Sequence, residues 1–470
     1  MTTDLLARIE STLLPPTRFV GDTQRFNLKE RMQHYAVPGV SVAVFDGGEP
    51  VAARGYGVRS VPDGPPVDES TRFQAASMSK VVTALLVMQL VDAGAVALDA
   101  DVNRYLRRWQ IPASPLTDDR GVTLRRILTH RAGLTVHGFR GYPRPTPIPD
   151  VLTVLRGEDG ITGPVIVDIP PDSEHRYSGG GTTVAQLVIE EQTGQSFAAL
   201  AAERVFAPLS LTATTFEQPM TDAPALNLAR GYRPDASEVP GGWHNFAQLG
   251  AAGLWTTPLE FGRILAEIHR AWHGRSALLS KRSAREMLNR PYGDQRGLGP
   301  MVYGSDANPR FFHDGDNQGY HCAGTCYAAT GQGAVVMTNG DLGPALWREI
   351  FGAIADTCTW PDFIEASLAR YPLDAAALAR YAGDYEIVRG YEATAPFVVR
   401  VDSDHADGDG LLATLPGVPS RRMLPISATD FRSRATPFTA RFTLDARSRA
   451  QAVTILEGDD VLITAQRFKQ

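Results

Sequence analysis

One stretch limits what this chain can fold into: Val81 to Val91 is apolar throughout except for Thr83 and Gln89, and Ser77-Met78-Ser79-Lys80 opens it. Gly94 follows, as a glycine does just past a helix end. With Lys80 and Gln89 inside it, the run is too short to span a bilayer. A helix that is apolar on every face belongs in the middle of a globular core. Ser77 then stands at the helix start and Lys80 one turn later. Positions i and i+3 share a helix face, so hydroxyl and amine can touch. A serine is a poor nucleophile until a base takes its proton. A lysine with little water around it has a lowered pKa and can serve as that base. The helix N-terminus adds backbone N–H groups beside any anion formed at Ser77. Ser-x-x-Lys alone is a common coincidence. Its surroundings distinguish it, because an unpaired buried charge is costly.

The rest of the composition excludes several classes. A chain of 470 residues can bury a large core in two or three structural units. A net charge of −6 gives no footprint for nucleic acid. The three cysteines, Cys322, Cys326 and Cys358, do not make a disulfide framework. No window reaches the length of a membrane span, and the first residues lack a basic segment followed by an apolar one. The expectation is a cytoplasmic protein with neither a membrane nor a nucleic-acid partner. His130, His137 and His175 have no metal-ligand spacing, and His269 and His273 read as one helix face. The glycines at 179–181 lack a dinucleotide fingerprint. No cofactor and no metal are expected.

Along the chain, residues 1–36 read as a helical lead-in interrupted at Pro15-Pro16. Strands at 40–45 and 51–58 flank Asp46-Gly47-Gly48-Glu49 as a hairpin. Helices are expected at 77–93, 122–130, 182–191, 197–205, from Pro258 with Thr257 as its cap, and at 347–355. Strands are expected at 320–329 and 333–338. The Pro- and Gly-rich stretch 138–175 reads as a surface segment over the site, and Trp243-His244-Asn245-Phe246 as a substrate-wall loop. Composition shifts near 361–372. Beyond it, short alternating strands at 397–401, 438–444 and 452–456, with turns at 405–410 and 457–460, predict a small all-β barrel.

Two further clusters bear on the chemistry. Tyr177 precedes Ser178-Gly179-Gly180-Gly181, a tight turn where backbone can approach a ligand. Its phenol could relay a proton if a nearby lysine lowers its pKa. His313 and Gly315 lead into a strand, where an imidazole can steer protons and a glycine can let substrate lie along the edge. Taken singly, each is more simply a loop.

Taken together and in this order, the three motifs resemble the penicillin-binding-protein and class C β-lactamase family. That family shows Ser-x-x-Lys, then a Tyr-x-Asn-type element, then Lys-Thr-Gly or His-x-Gly on a sheet-edge strand. Thr129-His130-Arg131-Ala132-Gly133-Leu134 is similar to a helix-ending motif of the same family. The resemblance covers roughly residues 30–355. It implies an α+β fold, with an antiparallel sheet flanked by helices and an all-α subdomain, in a catalytic domain over 1–365. A lipocalin-like barrel over 375–470 matches members that carry one. It further implies Ser77 as nucleophile, Lys80 and Tyr177 as proton carriers with either as primary base, and His313 orienting the substrate or the second nucleophile. The oxyanion falls to the backbone N–H groups of Ser77 and Asp316. Gly179, Gly315 and Asn317 fall among the substrate contacts.

Two departures steer the substrate. Gly179 stands where many members have asparagine, and His313 where many have lysine. Both point to ester, thioester or peptide carbonyls rather than penicillins. The expected activity is that of a serine acyl-enzyme hydrolase or acyltransferase on a small-molecule or peptidyl acyl substrate. A penicillin-binding-type thioesterase that releases or cyclises a carrier-bound peptide is a second reading. A binding module that becomes acylated without turnover is a third.

Overall fold

The computed structural model describes residues 2–117, 119–390, 395–403, 409–416, 419–458 and 460–468. The chain divides into two compact units, residues 1–10 with 28–347 and residues 11–27 with 348–470. Among the described residues, no helix is long and apolar enough to cross a membrane.

The first unit is built on an antiparallel six-stranded sheet. Its strands are β1 (Gly39–Asp46), β2 (Glu49–Gly57), β3 (Met301–Tyr303), β4 (Arg310–Asn317), β5 (Tyr320–Tyr327) and β6 (Gly333–Thr338), in the order β2-β1-β6-β5-β4-β3. The expected hairpin is present, and Gly47 and Gly48 both take positive φ, which the tight turn requires. Val40 to Phe45 are buried on both faces, so the sheet is a middle layer. Helix Pro258–Trp272 covers one face, with Gly262 pressed so closely on the Phe45 ring that a Cβ would fall 2.0 Å from it. On the other face, Trp347 packs 6.0 Å from Phe312 and Gly343 abuts Thr338. The expected α+β architecture is thus observed.

The apolar helix runs Ser79–Asp92, and residues 79–88 and 90 are buried. Around it lie Gly179–Thr193, Phe197–Ala201 and the short Leu124–Leu128, which Thr123 caps through the Arg126 N–H. Stretch 138–175 differs from expectation. It contains helix Val151–Arg156, and Tyr142, Leu155, Val165 and Val167 enter cores, so its prolines and glycines hid apolar anchors. The 243–246 loop differs too. Trp243 and Phe246 are buried, and Trp243 meets Trp255 edge-on at 5.4 Å, so this is core rather than a substrate wall.

The second unit closes into an eight-stranded barrel, as expected. Its strands are β7 (Gly383–Arg389), β8 (Phe397–Asp402), β9 (Gly410–Thr414), β10 (Arg421–Pro425), β11 (Asp430–Arg432), β12 (Thr439–Leu444), β13 (Ala450–Glu457) and β14 (Asp460–Arg467). Each pairs with the next, and β7 pairs with β14, which removes every free edge. Tyr381, Tyr385, Phe397, Phe431 and Phe442 fill its interior. Residues 405–408 and 459 of the expected turns lie outside the described residues.

Candidate active site

The nucleophile segment is pinned before the helix begins. Phe73–Gln74 pairs with Trp255–Thr256, and the Ala75 N–H donates to the Leu254 carbonyl at 2.8 Å. Ala76 then takes φ +47, a left-handed conformation uncommon outside glycine, and a 3₁₀ turn Ala76–Met78 leads into the helix. The Ser79 hydroxyl fastens this turn, donating to the Ala76 carbonyl at 2.6 Å and accepting from the Leu254 N–H at 3.1 Å. Ser77 is left half-buried between fully buried neighbours.

Lys80 lies on the same helix face as Ser77. Its Nζ donates to Ser77 Oγ at 3.0 Å and to the Ala251 carbonyl at 2.8 Å. The side chain is only 3 % exposed. Burial pulls the ammonium down to about 7, with the Asp314 carboxylate working against that shift. The amine therefore gives up its proton far more readily than an exposed lysine, beside the serine hydroxyl.

Tyr177 completes the expected trio. Lys80 Nζ sits 4.9 Å from the centre of its ring. Burial pushes the phenol above its ordinary range, with the polar Ser77 nearby working against that shift. The expected lowering by lysine is therefore not found, and the phenol stays protonated at rest. Helix Gly179–Thr193 holds Tyr177 from behind. The Ser178 hydroxyl caps it by accepting from the Gly181 N–H at 2.9 Å, and the Gly179 and Gly180 N–H groups donate to the His137 and Val136 carbonyls.

Two histidines outside the expected catalytic set pack against Tyr177, His130 at 4.2 Å and His137 at 5.0 Å between ring centres. His130 Nδ1 accepts from the Ser178 N–H at 3.2 Å, and burial lowers its pKa well below the usual value. The signal for His130 was the Thr-His-x-x-Gly-Leu match; His137 had none. Among the described residues, no group of three histidine, cysteine or acidic side chains is arranged to hold a metal.

The third motif lies on β4 itself rather than ahead of a strand. β3 pairs only with residues 310–312, which leaves 313–317 with one edge unpaired by β3. His313 is buried, and its Nδ1–H donates to the Asp314 carbonyl at 2.6 Å, so Nε2 is the acceptor in the neutral ring. Burial and then Lys80 lower its pKa, keeping it neutral.

The residues expected to touch substrate are placed differently. A Cβ on Gly315 would lie 2.0 Å from the Ala75 carbonyl oxygen, so the glycine seats β4 against the nucleophile turn and leaves no room for substrate there. Asn317 is buried, and its amide donates to Gln74 Oε1 at 2.9 Å and the Ala252 carbonyl at 3.2 Å, so it is a strut. Gly179 is buried beneath the Phe139 ring and the His137 carbonyl. Asp316 has a side chain that is 80 % exposed. A cavity of about 850 Å³ lined by Arg144, Phe216, Met220 and Leu249 is separate, since neither Ser77, Lys80 nor Tyr177 lines it.

The chain is 28% identical over 385 residues to penicillin-binding protein 4 of Amycolatopsis lactamdurans, covering 76% of this chain and 94% of that protein. It is 25% identical over 232 residues to the teichoic acid D-alanine hydrolase of Staphylococcus aureus, covering 48% of this chain and 53% of the relative. In fold it is similar to the octameric penicillin-binding protein homologue from Pyrococcus abyssi, with a TM-score of 0.61 at 19% identity over 93% of this chain and 98% of that one. It is also similar to the D-amino acid amidase of Ochrobactrum anthropi SV3, with a TM-score of 0.56 at 20% identity over 76% and 99% of the two chains. The model of the family described as Beta-lactamase matches residues 26–359, and the chain belongs to that family of serine hydrolases.

Proposed function

We propose that the protein transfers acyl groups from ester, thioester or peptide carbonyls to water through an acyl-enzyme on Ser77. The observation that carries this reading is the 3.0 Å contact between a half-buried serine hydroxyl and a buried amine whose pKa is lowered to about 7. Lys80 is the primary base. It takes the Ser77 proton as Oγ bonds to the carbonyl carbon, and the backbone N–H groups of Ser77 and Asp316 receive the developing oxyanion. As the bond to the leaving group breaks, Tyr177 gives it the phenol proton and is reprotonated by Lys80. Water then attacks the acyl carbonyl, its proton passing to Lys80 and on to Ser77 Oγ as the ester bond breaks, with His313 orienting the water.

Gly179 and His313 supply neither a side-chain amide nor a lysine charge, which favours esters and thioesters over β-lactams. The name of the staphylococcal relative makes D-alanyl esters a first substrate to try. A carrier-bound acyl donor is the variant of this reading in which an amine replaces water.

Sustained p-nitrophenol release from p-nitrophenyl acetate, abolished in Ser77→Ala, is the expected result. One product per protein followed by silence would instead make the chain a sensor. Offering an amine and weighing amide against acid by mass spectrometry separates transfer from hydrolysis.

The pH dependence follows from Lys80. Its active form is the unprotonated one, so kcat/KM should rise with pH through about 7. Asp314 holds the ammonium up, so Asp314→Asn should move that limb to lower pH. A limb that stays in place or moves upward would remove Lys80 as the titrating base.

A further inference from the structure

The cavity of about 850 Å³ that lies apart from the catalytic groups has the volume of a small-molecule site. Helix Gly179–Thr193 supplies Gln186 and Glu190 to its wall, and segments 144–149, 216–222 and 245–249 close round it. Phe216, Met220 and Leu249 give it an apolar lining. It backs onto the turn that holds the general base. Leu249 opens the short helix Leu249–Ala252, Gln186 Oε1 accepts from the Gly250 N–H at 3.0 Å, and the Ala251 carbonyl accepts from Lys80.

Two residues of this wall carry amide oxygens with nothing to accept from. Asn245 is 2 % exposed and its Oδ1 is buried, as is Gln218 Oε1. Among the described residues, neither oxygen has a hydrogen-bond partner. Turning the Gln218 amide over does not cure this, because its Nε2 already donates to the Gly253 carbonyl at 3.1 Å. Buried acceptors without a donor are uncommon in folded proteins, since nothing offsets their lost hydration. The charged groups of the wall, by contrast, are answered by the protein itself. Glu190 pairs with Arg108 at 3.0 Å and Asp222 with Arg230 at 2.8 Å. Arg144 lies 4.0 Å over the Trp243 ring and donates to the Gly241 carbonyl at 2.9 Å. The cavity therefore calls for a neutral donor rather than a counter-charge.

We propose that this cavity is a second, non-catalytic ligand site, and that it takes uncharged primary amides with an apolar body. The two N–H groups of such a ligand match the two open acceptors, Asn245 Oδ1 and Gln218 Oε1, and its apolar body matches the Phe216, Met220 and Leu249 lining. No bond is made or broken there, and the inference does not depend on Ser77.

Benzamide and acetophenone test this, because they differ by NH2 against CH3 at the same charge and nearly the same shape. Titrated into the full chain and followed by NMR, benzamide should bind at least about 10-fold more tightly. Asn245→Leu should lower that ratio by about 5-fold or more. Since Asn245 Oδ1 gives up no protein hydrogen bond, the leucine variant should melt no lower than wild type. Met220→Trp, which fills the cavity, should abolish binding of both probes, and Ser77→Ala should leave benzamide binding unchanged. Should the tryptophan variant fail to fold, the leucine variant decides. Equal affinities in the wild type would mean that water serves the two oxygens, and would overturn the site. So would the absence of benzamide binding, an unchanged ratio or a lowered melting temperature in Asn245→Leu, benzamide binding that survives Met220→Trp, or its loss in Ser77→Ala.

Discussion

Replacing Lys80 with methionine should cost about three orders of magnitude in kcat/KM while making the protein more stable. Both halves follow from the same burial. At 3 % exposure the ammonium has lost nearly all its water, and its pKa falls from 10.5 to about 7. A basic group with a depressed folded pKa destabilises the fold wherever the unfolded chain would bind the proton. That cost is absent above pH 10.5, grows as pH falls, and is complete below about 7. At neutral pH it amounts to about 4 kcal/mol. Methionine removes it but leaves the Ala251 carbonyl without its 2.8 Å donor, which costs about 1–3 kcal/mol. A net gain of about 1–3 kcal/mol should appear as a higher urea midpoint at pH 7, shrinking as pH rises. A near-normal rate would remove Lys80 from the mechanism, and a lower midpoint would contradict the electrostatic account of its pKa.

Gly315→Val should be strongly damaging although it lies outside the catalytic groups. The Cβ alone would meet the Ala75 carbonyl oxygen at 2.0 Å and the Ala76 Cβ at 3.1 Å, far inside contact distance. Those atoms are backbone and a left-handed alanine, so nothing there can swing aside. Either β4 lifts off or the Ala76–Met78 turn moves, and both carry groups that must meet at Ser77. We expect about 2–3 kcal/mol of destabilisation, and activity lower still than the unfolded fraction explains. Gly315→Ala should show the same pattern more weakly. Wild-type activity in the valine variant would mean that the edge strand does not hold the nucleophile turn.

The core helix and the barrel were legible because their signals are local. Val81 to Val91 can only be interior, and a period of two repeated between turn residues can only be a strand meander. Ser77 and Lys80 were legible because i, i+3 spacing at a helix start fixes what can touch, whereas Tyr177 came from the order of the three motifs and the family they resemble. The edge strand was not. In Arg310–Asn317, Asp314 and Asp316 alternate with His313, Gly315 and Asn317, so neither face reads as apolar, and pairing with β5 rather than propensity makes it a strand. The work done by Gly179 and Gly315 was hidden for another reason. A glycine states that something comes close, but not whether the visitor is substrate or the chain itself. Here Phe139 and Ala75 fill those places. His137 was missed because it sits in a loop whose path is set by Gly179, 42 positions downstream in sequence.

The central claim is that a covalent acyl group passes through one hydroxyl. Quenching the protein in acid during steady turnover of an activated ester, then locating the added mass by peptide mapping, tests it directly. The account predicts one acyl group on the peptide containing Ser77, formed much more slowly when Lys80 is replaced, and absent from Ser77→Ala. Steady turnover with an unmodified Ser77 peptide, or with the acyl group on another residue, would contradict it.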